Sequence, residues 1–178
     1  MQQPRVKRSG TLGKHSNTIQ IALKGHIKSM AQSLAEINIH LIFSTQFRYA
    51  FLNDRIRPNL FYYMAALAKK QGSHVYEIGG VADHTHVLLT LPRTMILAQL
   101  VMLIKKESSK WMKREHDVTN FAWQNGYGAF SVSSSKIDFV RRYIREQEKH
   151  HQQNSFQDEM RLFLKNTRLS FDEKYLWD

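Results

Sequence analysis

From Glu36 onwards the spacing of apolar residues switches between a period of two and a period near 3.6, and the order of those switches restricts the fold more than any other feature. Over residues 36–45, Ile37, Ile39, Leu41 and Phe43 fall on one side and Asn38, His40 and Ser44 on the other, with Ile42 as the exception. That pattern predicts a strand with one buried face. A helix follows, capped by Asn53 or Asp54, tolerating Pro58 near its first turn, striped by Ile56, Leu60, Met64 and Leu67, and stopped by Gly72. Strands are predicted over 74–80 and 82–91, with Gly79 and Gly80 as hairpin material and Pro92 as the terminator. The helix predicted over 94–116 carries Leu97, Leu100, Val101, Ile104 and Trp111 on one side and Lys106, Lys110, Lys113 and Arg114 on the other. A strand at 128–132, a helix over 135–151 and an amphipathic segment with Phe156, Met160, Phe163 and Leu164 precede the tail at Tyr175 to Trp177.

In chain order this reads βαββαβ with additional C-terminal helices. The class is α+β, in the split-βαβ arrangement called ferredoxin-like and shared with RRM domains. Such an antiparallel sheet carries helices on one face and is expected to leave the other free. Residues 30–178 are expected to form a single domain. Residues 1–29 show no sustained period and are expected to be a basic, disordered extension. They hold six of the basic residues and no acid, so they supply +6 of the net +11. A charge of that size asks for a polyanionic partner, most often nucleic acid. No apolar run approaches the ~18 residues of a membrane span, and the absence of cysteine excludes disulfide scaffolds, zinc ribbons and thiol catalysis. The expected location is the bacterial cytoplasm, with nucleoid association during action.

Chemistry concentrates in two segments. In the strand over 81–89, alternation sends Thr85, Val87 and Leu89 to one face and His84, His86 and Leu88 to the other. Side chains at i and i+2 stand about 7 Å apart on the same side of a strand. Two imidazoles at that distance can share one divalent ion; the plain alternative is a pair of core histidines satisfied by hydrogen bonds. His40 lies on the non-apolar side of the first strand, where a structural or DNA-contacting role fits better than a third ligand. In the helix over 135–151, Ser135 with Asp138 resembles a capping box, and Ile137, Val140 and Ile144 form the apolar stripe. Tyr143 and Gln147, at i and i+4, present a phenol and an amide on one face, unless they simply pack. A phenol is a weak nucleophile at its ordinary pKa of about 10 and needs a metal or base. An ion held by two imidazoles and an amide oxygen would polarise a phosphoryl oxygen. Mg²⁺ prefers oxygen ligands and Mn²⁺ accepts imidazole more readily. The basic face of the 94–116 helix would hold phosphate or stand solvated.

As an ordered set these residues resemble the single-tyrosine HUH transposases of bacterial insertion sequences (the insertion-sequence 200/605-like group), a family that includes transposases associated with repetitive extragenic palindromes. The resemblance covers residues 31–178. It rests on the segment Ile39 to Thr45, on Asp83-His-Thr-His-Val-Leu-Leu89, on Phe121 to Val132, on Tyr143-Ile-Arg-Glu-Gln147 and on Tyr175-Leu-Trp-Asp178. It implies a metal-dependent enzyme that cuts and rejoins single-stranded DNA at element ends and recognises DNA hairpins. By that likeness His84, His86 and Gln147 would hold Mg²⁺ or Mn²⁺, and Tyr143 would form a 5′-phosphotyrosine link and free a 3′-hydroxyl. The family also implies a homodimer in which the tyrosine helix of one subunit can complete the other's site. Lys106, Lys110, Lys113, Arg114 and His40 are the candidate DNA contacts, on physical grounds rather than by motif.

One position departs from the family pattern. The middle residue of the His-x-His motif is ordinarily bulky and apolar, and here it is Thr85, whose hydroxyl needs a partner in the core. A small stability cost is expected. Two other readings compete: a catalytically silent nucleic-acid-binding module on an RRM-like sheet, and a replication-initiation or relaxase relative. The first lacks the stacked-aromatic pattern of RRM domains, and the second fits poorly with a short chain whose tyrosine stands four residues before Gln147.

Overall fold

The structure, a computed structural model, describes residues 34–152, 155–167 and 171–172. All but the first two of these belong to one compact unit, Glu36–Asp178. The expected extension over 1–29 and the closing Tyr175 to Trp177 lie outside the described residues.

Four strands, β1 (Asn38–Ser44), β2 (Val75–Gly80), β3 (His84–Thr90) and β4 (Gly128–Val132), form one sheet in the order β2-β3-β1-β4. All neighbours pair antiparallel. Helix α1 (Arg57–Lys70) joins β1 to β2, and α2 (Leu97–Glu115) joins β3 to β4. This is the predicted α+β, split-βαβ order. The Asn53 side chain accepts from the backbone N–H groups of Arg55 (3.0 Å) and Ile56 (3.1 Å), satisfying donors ahead of α1 as an N-cap does. Past its other end Gly72 adopts φ +87°, which glycine alone takes at little cost. The buried stripe of α1 is Leu60, Met64 and Ala68, not Leu67.

The main core lies on one side of the sheet. Ile39, Leu41, Phe43, Val87 and Leu89 pack there against Leu60 and Met64 of α1 and Leu100, Val101 and Ile104 of α2. Trp123 closes its edge, its ring edge-on to Phe43 at 4.8 Å and its indole N–H donating to Ser108 Oγ at 2.8 Å.

The other face is not free, contrary to expectation. Helix α5 (Phe156–Thr167) lies over it, and Phe156, Met160 and Leu164 bury Ile42 and Phe130 in a second cluster. Ile42, the residue that broke the period of β1, is therefore apolar because that face has a cover. Every residue of β1 is buried, whereas Ile37, before the strand, is 46% exposed.

The predicted helix over 135–151 is three pieces. A 3-10 turn at Ser134–Lys136 leads into α3 (Ile137–Arg145), and the backbone breaks at Glu146 before the short α4 (Gln147–His150). The expected capping box does not form. The 3-10 turn places Lys136 at the helix start, and the Ser135 hydroxyl pairs with that of Ser133 at 3.2 Å. Helix α3 lies close on β2 because residue 79 has no side chain: a Cβ there would run into the Ile144 carbonyl. Glu77 Oε2 holds the same helix through Arg145 Nε at 2.7 Å.

Candidate metal and nucleophile site

β3 directs His84 and His86 toward α3, α4 and α5, and both side chains are fully buried. Each ring has one nitrogen already engaged. Asp83 Oδ1 lies 2.7 Å from His84 Nδ1, and His40 Nε2 lies 3.0 Å from His86 Nδ1. Asp83 is gripped in turn by Arg48, whose Nε donates to Oδ2 at 3.0 Å. Burial pushes the Asp83 carboxyl up, but the His84 hydrogen bond and charge, with those of Arg48, outweigh it and hold the pKa at about 2. Asp83 is thus an anion that accepts the Nδ1–H of His84, and in the neutral ring that bond selects the tautomer whose Nε2 is a bare lone pair. Burial holds His40 down to about 4. Burial, then the neighbouring imidazoles of His40 and His84, holds His86 well below its ordinary value. Both are neutral near pH 7, and a His86 that donates from Nδ1 to His40 likewise turns a lone pair on Nε2 to the site.

Arg48 reaches Asp83 from a strained turn after β1, in which Phe47 (φ 55°) and Arg48 (φ 58°) both occupy the left-handed region. Such conformations cost roughly 1–3 kcal/mol each and persist where the surroundings enforce them. Thr45 enforces this one, its carbonyl accepting from Arg48 N–H and its hydroxyl donating to Tyr49 O at 2.7 Å.

Among the described residues, the buried acceptors without a hydrogen-bond partner include His84 Nε2, His86 Nε2 and Gln147 Oε1. Gln147 is 1% exposed, and its amide N–H donates to Glu159 Oε1 at 3.0 Å. The Glu159 carboxylate stands 3.6 Å from His86 Nε2 and 3.9 Å from His84 Nε2, beyond hydrogen-bond reach, and lies 3.1 Å from His151 Nε2. Burial lifts its pKa to about 8. Ligand atoms of His84, His86, His151 and Glu159 all lie within 4.8 Å of one another. Two partnerless imidazole nitrogens opposite a carboxyl group suit a cation, and mixed imidazole, amide and carboxylate ligands suit Mn²⁺, with Mg²⁺ favouring the oxygens. The residues fit a divalent ion.

Tyr143, half-buried on α3, places its ring 6.0 Å from that of His86 and 6.3 Å from that of His40. Tyr143 and Glu159 together line two adjoining clefts of about 430 and 260 Å³. The four residues expected to act, His84, His86, Tyr143 and Gln147, thus come together within a single chain. The break at Glu146 does not separate Tyr143 from Gln147, because α4 turns its first residue into the same cluster.

The expected DNA contacts lie elsewhere. His40 is 2% exposed and bonded to His86, so it serves the site from within and offers no surface to DNA. Lys106, Lys110, Lys113 and Arg114 ride on α2, whose buried side meets Leu41 and Phe43; they are across the sheet from His84 and His86. Lys110 pairs with Glu107 at 2.8 Å and Arg114 with Glu115 at 2.6 Å. The Thr85 hydroxyl finds its partner, the Gly79 carbonyl, at 3.2 Å. His151 and Glu159 were not anticipated. A signal was available: Glu159 stands three residues after Phe156 and four before Phe163, an acid on an otherwise apolar stripe.

The sequence profile described as "Transposase IS200 like" matches residues 33–147, more than half of the chain. No curated protein matches. Among solved structures, a transposase candidate from Deinococcus radiodurans R1 superposes with a TM-score of 0.52 at 21% identity, covering 67% of this chain and 96% of that one. A REP-associated tyrosine transposase bound to a REP hairpin superposes with a TM-score of 0.51 at 14% identity, covering 68% of this chain and 74% of that one. At these identities the two structures speak for the fold. Among the described residues no helix is long and apolar enough to cross a membrane.

Proposed function

The chain belongs to the IS200-like transposases, and on that footing we propose that it cuts and rejoins single-stranded DNA at element ends through Tyr143. The observation that carries this reading is the clustering of two partnerless buried imidazole nitrogens, on His84 and His86, with the Glu159 carboxyl group that Gln147 holds, beside a half-buried phenol. His84 Nε2, His86 Nε2 and Gln147 Oε1 would hold Mg²⁺ or Mn²⁺. An ion held there supplies a Lewis acid for a phosphoryl oxygen.

The remaining work belongs to the chain. Asp83 and His40 keep the two imidazoles in register, and Arg48 keeps Asp83 ionised. Tyr143 Oη attacks phosphorus; its O–P bond forms as the bond to the 3′-oxygen breaks. The phenol loses its proton, the departing 3′-oxygen gains one, and a 5′-phosphotyrosine link remains. A 3′-hydroxyl from another end reverses the step, so no ATP is needed. Burial of the cluster keeps water from taking that hydroxyl's place.

Hairpin recognition is part of the proposal. The REP-associated neighbour is bound to a hairpin, and here Lys106, Lys110, Lys113 and Arg114 form a basic face on α2 suited to phosphate. Two copies of the chain would bring two ends together as a homodimer, with each site built in cis because Tyr143 lies beside the histidines of its own chain.

The test is incubation of the purified protein with single-stranded DNA from its own genomic flanks and Mn²⁺, followed by denaturing gels. A protease-sensitive shifted band is expected; Tyr143→Phe should abolish it while hairpin binding persists, and His84→Ala with His86→Ala should abolish it too. An adduct that survives Tyr143→Phe, or is undiminished in EDTA, overturns the assignment. Hairpin binding without any adduct points instead to a silent DNA-binding protein.

A further inference from the structure

We propose that Glu159 is a displaceable ligand to the ion, carried in by α5, and that a DNA phosphate arriving at Tyr143 must exchange with it. This rests on the metal centre proposed above. Glu159 belongs to neither the histidine strand nor the tyrosine helix. It comes from the helix that covers the sheet face, anchored by Phe156, Met160 and Leu164. Its carboxylate is 9% exposed and faces His84 Nε2 and His86 Nε2 at 3.9 and 3.6 Å, too far to bond them directly. Among the described residues those two nitrogens have no hydrogen-bond partner. A cation between the Glu159 carboxyl group and these two lone pairs would satisfy all three at once. Gln147 Nε2 and His151 Nε2 hold its two oxygens at 3.0 and 3.1 Å, which fixes the carboxylate facing the histidines.

The same carboxylate lines both clefts that flank Tyr143. A scissile phosphate must approach Tyr143 through that space, and two anions cannot occupy one position on the ion. Ion binding therefore fastens α5 over the site, and phosphate binding releases Glu159 and loosens the helix. Substrate entry and helix α5 are coupled through a single carboxylate.

Amide hydrogen exchange of the full native chain, with and without Mn²⁺, needs no substitution. Mn²⁺ is expected to slow exchange across α5; unchanged exchange in a chain that binds Mn²⁺ overturns the proposal. Titration calorimetry with Mn²⁺ alone gives the second readout. Glu159→Gln should weaken binding by about tenfold or more, in the range that ligand-shell changes produce, and should lose the Mn²⁺ effect on α5. Lys165→Gln, exposed on the same helix, should change neither. Equal affinity in Glu159→Gln overturns the proposal while leaving the metal centre standing. His84→Ala with His86→Ala separates the two: if that variant binds Mn²⁺ like the native chain, the metal centre itself falls and this inference with it. Adding a flank oligonucleotide to Tyr143→Phe with Mn²⁺ should return α5 to fast exchange, and protection that persists with DNA bound overturns the exchange step.

Discussion

His84 and His86 each turn one nitrogen to the site because the other nitrogen is held, by Asp83 for His84 and by His40 for His86. The two holders differ in kind. An ionised carboxylate raises the basicity of its imidazole, while a neutral imidazole only orients its neighbour. Lys105 shows the opposite use of burial. Its ammonium donates to Gly126 O at 2.7 Å and lies over the Phe43 ring, and burial lowers its pKa to about 8. Between pH 8 and 10.5 the unfolded chain keeps this proton and the folded chain gives it up, so the residue's contribution to stability rises with pH across that window. Thermal melts of the native chain and Lys105→Met should therefore move apart in the native chain's favour as pH rises from 8 to 10. A constant difference would show that Lys105 does not titrate there.

At the scale of elements, the placement of Tyr143 depends on a residue distant in sequence. Gly79 lets α3 approach β2 at Ile144, next to the tyrosine. Gly79→Ala should force the helix outward, cost about 1–3 kcal/mol as overpacking does, and lower adduct yield more than hairpin binding; urea midpoints and gels check both. The strand chemistry was legible because alternation is local: Thr85, Val87 and Leu89 point one way and the histidines the other whatever else the chain does. The stop at Gly72 was legible for the same reason. The break at Glu146 was not, since Tyr143 and Gln147 at i and i+4 read as one continuous helix. The cap at Ser135 was misread because a 3-10 turn takes the same residues as a helix start. Glu159 escaped because its partners lie on β3 and α4, far away in sequence, and only the apolar stripe around it hinted at burial.

For the whole molecule, the sheet divides the labour. The basic face of α2 and the histidine-and-tyrosine cluster stand on opposite sides of β1 and β3, so a DNA strand serving both must wrap an edge of the sheet. If the lysines contact phosphate, Lys106→Ala, Lys110→Ala and Lys113→Ala should each flatten the dependence of log affinity on log salt, by about 0.7–0.9 per lost contact. Adduct chemistry on saturating DNA should be unaffected, and an unchanged salt slope would remove these lysines from the interface. The site draws on β1, β3, α3, α4 and α5, so its groups are scattered from His40 to Glu159 and no contiguous stretch holds them all. While the protein is being made, the strands carrying His40, His84 and His86 leave the ribosome long before Tyr143, and Glu159 follows later still. A nascent or clipped chain holds parts of a cutting centre and no whole one. On the proposed function, strand scission would be withheld until folding is complete, and the genome shielded from half-made copies by nothing more than the order of the residues.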